Sequence, residues 1–210
     1  YSDKMTANFL DYNTFLIIHE NQLTSSGVPQ RYWHTLFTKL KSELYDAGMV
    51  FEMQQDSEKA NNSINGGWKV VSTSYHALRP DDSMHIFLID HAWTYELEDM
   101  RAALDAIPGL VDRMMNLMNI NPDELNKEEQ KETVLETMWI FNQTYSFGNF
   151  DLGSDAAKPK WYIMDEFGSR IQHSDKPSFR IAPFFFAGAG IAFSIMWPIV
   201  KVSKGDEVTR

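Results

Sequence analysis

The chain has 210 residues, 43% hydrophobic and 13% aromatic, which suits one domain with its own core and excludes disorder as the default. It has no cysteine, which removes disulfides, thiolate nucleophiles and Cys-ligated metal centres and fits a reducing compartment such as the cytoplasm. Its 29 acidic against 19 basic residues give a net charge of −10, which opposes a phosphate-gripping nucleic-acid surface and favours a basic partner such as a histone-like tail.

The start, "YSDKMTANFLDY", lacks both Met and the build of a signal peptide, and reads as a piece cut from a longer chain. Phe9, Tyr12, Phe15, Leu16 and Leu23 recur at helical spacing until "SSGVP" stops the run, giving a leading helix and connector over 1–25. Trp33, Leu36, Phe37, Leu40 and Leu44 form the apolar face of a second helix that Gly48 ends, with Thr38, Lys39, Lys41 and Glu43 on its solvated side. "MVFEM" reads as a strand, 56–67 as a polar loop, and "WKVVSTSY" and "MHIFLIDHAW" as two further strands. The last of these is apolar on both faces and so is placed centrally.

Leu97, Met100, Leu104 and Ile107 line a helix face that Pro108 and Gly109 break, and Leu110, Met114 and Leu117 resume it. Asn126 and Glu129 have capping-box spacing, and the stripe Val134, Met138, Phe141 and Tyr145 carries that helix onward. After a loop over 147–159 the chain alternates short strands and turns, so the fold class is α+β, with small sheets and several packed helices. The uncharged run 181–200 is about as long as a membrane-spanning helix, but Pro183, Pro198 and "AGAG" suit two strands and a turn, and no membrane partner is expected.

Catalytic patterns are sparse. The six histidines show no i, i+4 pair, and Asp90 and His91 diverge if they share a strand, so no metal site is assigned. Asp165 and Glu166 read as solvated residues at a hairpin tip, with no converging partner for acid and base work. No nucleophile elbow, Walker loop or kinase signature is present.

The order "YIMDEFGSRIQHSDKPSF", "PFFF", "IAFSIMWPIVKVSKGDEV" resembles the C-terminal half of SET-type lysine methyltransferases. Residues 162–165 match that family's strand ending in Asp, Gly168 its glycine turn, Gln172, His173 and Ser174 its Asn-His-Ser segment, Pro177 its proline, and "KGDEV" its closing hinge. "SGVPQRYW", "DAGMVF", "IFLIDHAWT" and "FNQTY" extend the likeness to the SET-like region of tubulin tyrosine ligase-like proteins, over 26–210. That resemblance implies a ligase-type, ATP-using domain beyond residue 210.

In SET enzymes the His backbone holds the adenine of S-adenosylmethionine, the Asn side chain fixes that loop, and a late Tyr orients the lysine amine. The resemblance therefore implies Gln172, His173 and Ser174 as cofactor-loop positions. Three departures argue that they are vestigial and that no residue is catalytic. Gln172 is one methylene longer than Asn, the early Gly-x-Gly is missing before "DAGMVF", and Arg210 stands where the tyrosine-bearing motif begins.

The expected function is a degenerate SET-like interaction or regulatory module with no cofactor. Its implied partners are its own ligase-type domain, tubulin or microtubule-associated proteins, and histones. Its implied locations are the cytoplasm, nucleus and centrosome. The alternative is an active S-adenosylmethionine-dependent lysine methyltransferase.

Overall fold

A computed structural model of the chain describes residues 11–56, 58, 66–146 and 158–210. Most of the loops predicted over 56–67 and 147–159 lies outside the described residues, as does Phe9 of the leading stripe.

Helix α1, Tyr12–Ser25, starts at Asp11, whose carboxylate accepts the Thr14 amide at 2.8 Å and meets a donor that has no partner within the helix. Helix α2, Trp33–Ser42, follows, but it stops well before Gly48 because Glu43 adopts the left-handed conformation at φ 51°. Leu44 therefore leaves the apolar face and is 46% exposed. Lys39, predicted solvated, is buried. It spans to the Asp46 carboxylate at 2.7 and 2.9 Å and to the Ile86 carbonyl at 2.6 Å.

Strands β1, Phe51–Gln55, and β2, Trp68–Ser72, come next. The first begins later than predicted, because Ala47–Met49 turn as a 3-10 helix. The single strand expected in "MHIFLIDHAW" is two, β3 at Phe87–Ile89 and β4 at His91–Tyr95, lying in different sheets. Asp90 makes the transfer, its carboxylate accepting the His91 amide at 2.8 Å and its carbonyl accepting the Asp165 amide at 2.8 Å.

Helices α3, Met100–Ala106, and α4, Leu110–Leu117, are separate, with Gly109 at φ 76° between them, and Leu97 and Ile107 are exposed rather than part of the face. Helix α5, Lys127–Thr137, opens with the Asn126–Glu129 capping box. It does not reach Tyr145, which belongs to strand β5, Asn142–Tyr145.

Strand β6, Lys160–Met164, leads into a short helix α6, Glu166–Arg170, where a turn was expected. Asp165 is its N-cap, accepting the Gly168 amide at 2.8 Å, so it is no solvated hairpin tip. Gly168 itself is helical and buried. It is needed for close approach rather than for a turn, since a Cβ there would meet Ile89 Cγ2 at 2.6 Å and Met164 Cβ at 2.8 Å.

The run 181–200 lies in the hairpin of β7, Phe179–Phe186, and β8, Ile191–Pro198, and its end. Among the described residues, no helix is long and apolar enough to cross a membrane. Strand β9, Glu207–Val208, ends the order.

Among the described residues the strands form three small three-stranded sheets, β1-β2-β9, β3-β8-β7 and β4-β6-β5, confirming the α+β class with small sheets. Side-chain alternation explains why β3 is apolar on both faces. Leu88 joins a core with α1, α2 and the β7–β8 hairpin, through Phe15, Leu36, Phe184 and Trp197. Phe87 and Ile89 point the other way, into a core with Phe51, Val70, Tyr162 and Val208. A third core joins α3, α4 and α5 to β4 and β6, and there Ile163 points opposite to Tyr162. The stretch placed centrally from its apolar pattern instead forms edge strands, β3 and β4, of two sheets, and it is apolar on both faces because each face of β3 meets a separate core.

Candidate functional site

The C-terminal segment brings the predicted site together. Val208 pairs antiparallel with Val70 of β2, and on its other side Thr209 bridges Gln172 in parallel. The Arg210 amide donates to the Gln172 carbonyl at 2.8 Å, and the Ser174 amide donates to the Arg210 carbonyl at 2.9 Å. The amides of Ser178 and Phe179 both reach the Thr209 carbonyl. The chain end thus threads between β2 and the loop 171–178, so residues nearly forty positions apart in sequence, roughly, share one short ladder.

Within that loop the three predicted positions differ. The Gln172 amide donates to the Trp68 carbonyl at 3.2 Å and to the Arg170 carbonyl at 3.0 Å, tying the loop to β2. His173 and Ser174 are exposed, and the Ser174 hydroxyl accepts the Lys176 amide in a local turn. The His173 ring is held below its ordinary pKa by partial burial and by the neighbouring Arg210 charge.

Arg210 turns inward, an arrangement that sequence reasoning missed. Its Nε donates to the Ile171 carbonyl at 3.3 Å. The Gln143 amide, oriented to satisfy both neighbours, accepts from the guanidinium and donates to Tyr162 Oη at 3.0 Å. His91 stacks on the Tyr162 ring at 4.0 Å and places Nε2 3.0 Å from Ser194 Oγ. Burial pushes the His91 pKa down to about 3 and the Tyr162 hydroxyl up, so both are neutral near pH 7. Removing a donor from this group would leave buried partners unsatisfied.

Next to β1 lies a recess of about 250 Å³ lined by Tyr45, Ala47, Gly48, Phe51, Met53, Leu88, Asp165 and Phe167. Helix α2, Trp33–Ser42, stands ahead of "DAGMVF", where the resemblance calls for Gly-x-Gly. At the recess Asp165 accepts from the Gly168 amide at 2.8 Å and the Asp90 amide at 3.3 Å. Burial outweighs those bonds and lifts its pKa to about 6. The signal for its cap role was available, since Asp before Glu-Phe-Gly suits an N-cap. Glu166 instead faces Arg113, at 3.2 Å.

Among the described residues, no three His, Asp or Glu side chains converge to hold a metal ion.

The family model of the tubulin tyrosine ligase SET-like domain matches residues 58–210. The chain belongs to that family. The SET-like domain is 43% identical over 226 residues to tubulin–tyrosine ligase-like protein 12 of Mus musculus, covering 100% of this chain and 35% of that protein. It is 43% identical over 212 residues to the Homo sapiens protein of the same name, covering 93% and 33%. The chain thus spans about a third of the length of these curated relatives. Among solved structures, the Neurospora SET domain protein DIM-5, a histone lysine methyltransferase, is similar with a TM-score of 0.42 and 12% identity, covering 82% of this chain and 55% of that one.

Proposed function

We propose that this SET-like domain does not transfer methyl groups and serves as an interaction or regulatory module within a tubulin tyrosine ligase-like protein. The observation that carries the reading is Arg210. At the position where the tyrosine-bearing motif begins, its main chain is locked to Gln172 and its guanidinium reaches Gln143 beside Tyr162. A fixed cation there opposes approach of a sulfonium cofactor by like-charge repulsion.

Two further features support it. A side-chain-bearing helix, Trp33–Ser42, precedes "DAGMVF" where a cofactor needs bare backbone, and the Gln172 amide is committed to carbonyls of β2 and α6. These residues do not fit S-adenosylmethionine, and no cofactor is assigned. The remaining retained parts are framework, which supports contacts with the ligase-type domain and with tubulin-linked or chromatin-linked proteins in the cytoplasm or nucleus. The net charge of −10 favours basic surfaces on those partners over acidic tails.

The test is methyl transfer by a chain extended past Arg210, offered histones and tubulin, together with calorimetry against S-adenosylhomocysteine. No incorporation and no binding at millimolar ligand are expected. Methylation that disappears in Gln172→Ala or His173→Ala would instead establish the alternative, an active lysine methyltransferase, which draws on the exposed loop at His173.

A further inference from the structure

We propose that the recess between β1 and α6 binds the side-chain ammonium of a lysine, methylated or not, presented by a basic segment of a partner protein. The proposal rests on the reading of this domain as an interaction module and names the chemistry of one of its contacts.

The recess combines two kinds of wall. Tyr45, Phe51 and Phe167 supply aromatic surface, with Met53 and Leu88 beside them, and Asp165 supplies a carboxylate. Aromatic faces attract alkylammonium groups through the ring quadrupole, and a carboxylate adds the charge that a neutral apolar ligand would not use. The volume, about 250 Å³, is below the roughly 300–1,000 Å³ of sites for drug-sized ligands and suits one side chain.

Asp165 has no cation in direct contact among the described residues. Among the described residues, no Lys or Arg forms an ion pair with it, and its two hydrogen bonds come from main-chain amides. Arg113, whose charge reaches Asp165 through space, pairs with Glu166 instead. Asp90 and Glu166 add negative potential around the carboxylate. A carboxylate removed from water and flanked by other acids gains most from a cation brought by a ligand.

The rim explains why the ammonium should arrive on a peptide. Tyr45 and Met53 both line the recess and are more than two-fifths exposed, and Leu44 and Met49, exposed on the same ten-residue stretch of chain, flank them in sequence. Tyr45 and Met53 offer contact to the aliphatic stem of lysine and to the residues flanking it. The site is separate from the threaded C-terminus, for none of Gln172, His173, Tyr162 or Arg210 lines it.

The experiment is an NMR titration of the 210-residue chain with choline, with its neutral isostere 3,3-dimethylbutan-1-ol, and with short peptides carrying lysine or trimethyl-lysine. Saturable shifts are expected at the amides of Gly48, Phe51 and Phe167, with the isostere at least about tenfold weaker than choline and the peptides tighter than choline. Asp165→Asn keeps a competent N-cap and should lose the preference for cations. Tyr45→Ala, on the rim, should weaken choline roughly three- to thirtyfold.

Equal binding of choline and isostere, no saturable shift, or an unchanged affinity in both variants overturns the proposal. Choline binding without peptide binding overturns the lysine source. If Asp165→Asn loses its dispersed spectrum, Tyr45→Ala decides. A methyl-transfer assay on the same sample separates the two readings. Methylated product removes the interaction-module reading, whereas absent product with absent binding removes only the lysine contact.

Discussion

Lys39 and Asp165 are both ionisable side chains drawn away from water, and the fold treats them in opposite ways. The Lys39 side chain is 3% exposed, and its ammonium contacts the Asp46 carboxylate, the Ile86 carbonyl and, at 4.8 Å, the Phe87 ring. Asp165 has two amide donors and carboxylate neighbours, with no ion pair among the described residues. A buried charge supplied with partners serves the fold, and one left short of a counter-charge beside an open recess serves a ligand.

The largest expected effect is on the satisfied charge. Lys39→Met removes the cation and leaves Asp46 and the Ile86 carbonyl facing an apolar chain, which should cost about 3–5 kcal/mol in urea denaturation. Adding Asp46→Leu should restore much of that loss, because two apolar partners avoid the unpaired carboxylate. A single-variant loss below about 1 kcal/mol would erase the contrast between the two sites.

The unsatisfied charge should reveal itself through pH. The Asp165 pKa is about 6 in the folded chain, against about 3.9 when unfolded. The folded state therefore holds the proton more tightly, so the contribution to stability is fully present below about pH 4 and lost as pH rises through about 6. The loss is on the order of 2–3 kcal/mol. His91, with its pKa pushed down to about 3, acts in the opposite direction between about pH 6.5 and 3, so the comparison must be between variant and parent. Asp165→Asn should be the more stable protein above pH 6 and lose that advantage by pH 4, as measured by urea midpoints at each pH. A pH-independent difference would show that Asp165 is better compensated than its surroundings indicate.

Gly168 tests whether position or charge matters at the recess. A methyl group there meets Ile89 and Met164 inside normal contact distance, and Gly168→Ala should cost about 1–3 kcal/mol through overpacking. The same change tilts α6 and so displaces Asp165, lowering choline affinity without altering any charge. Calorimetric unfolding gives the first effect and the NMR titration the second.

What was legible in the sequence was local. The α5 capping box, the breaks around Pro108–Gly109 and the β7–β8 hairpin each follow from residues within one or two turns of chain. The transfer at Asp90 was not legible, because a single acidic residue separates β3 from β4 and only long-range pairing puts them in different sheets. Lys39 stands three residues after Leu36, at the margin of the apolar stripe. Its reach to Asp46 depends on the chain reversing at Glu43, which no periodicity announces. For the site, the motif order located the Gln172 loop, but the threading of Thr209 and Arg210 is a long-range pairing. The role of Gly168 likewise came from packing against Ile89, far away in sequence.

The smallest expected effect concerns Arg113, whose charge reaches Asp165 through space. Arg113 and Glu166 are both nearly half exposed, so their pair contributes only about 0–1 kcal/mol, and Arg113→Gln should leave the denaturation midpoint almost unchanged. Its electrostatic effect is more informative. Glu166 would lose the guanidinium that holds its carboxyl low, and its uncompensated charge would push Asp165 further up. Carboxyl-carbon NMR titration should therefore show Asp165 protonating at a higher pH than in the parent. Choline affinity below that pH should fall in step, because a protonated carboxyl offers no charge. Titration of Asp165 at the parent pH in Arg113→Gln would mean that the recess is screened from α4, and that its character is set by burial alone.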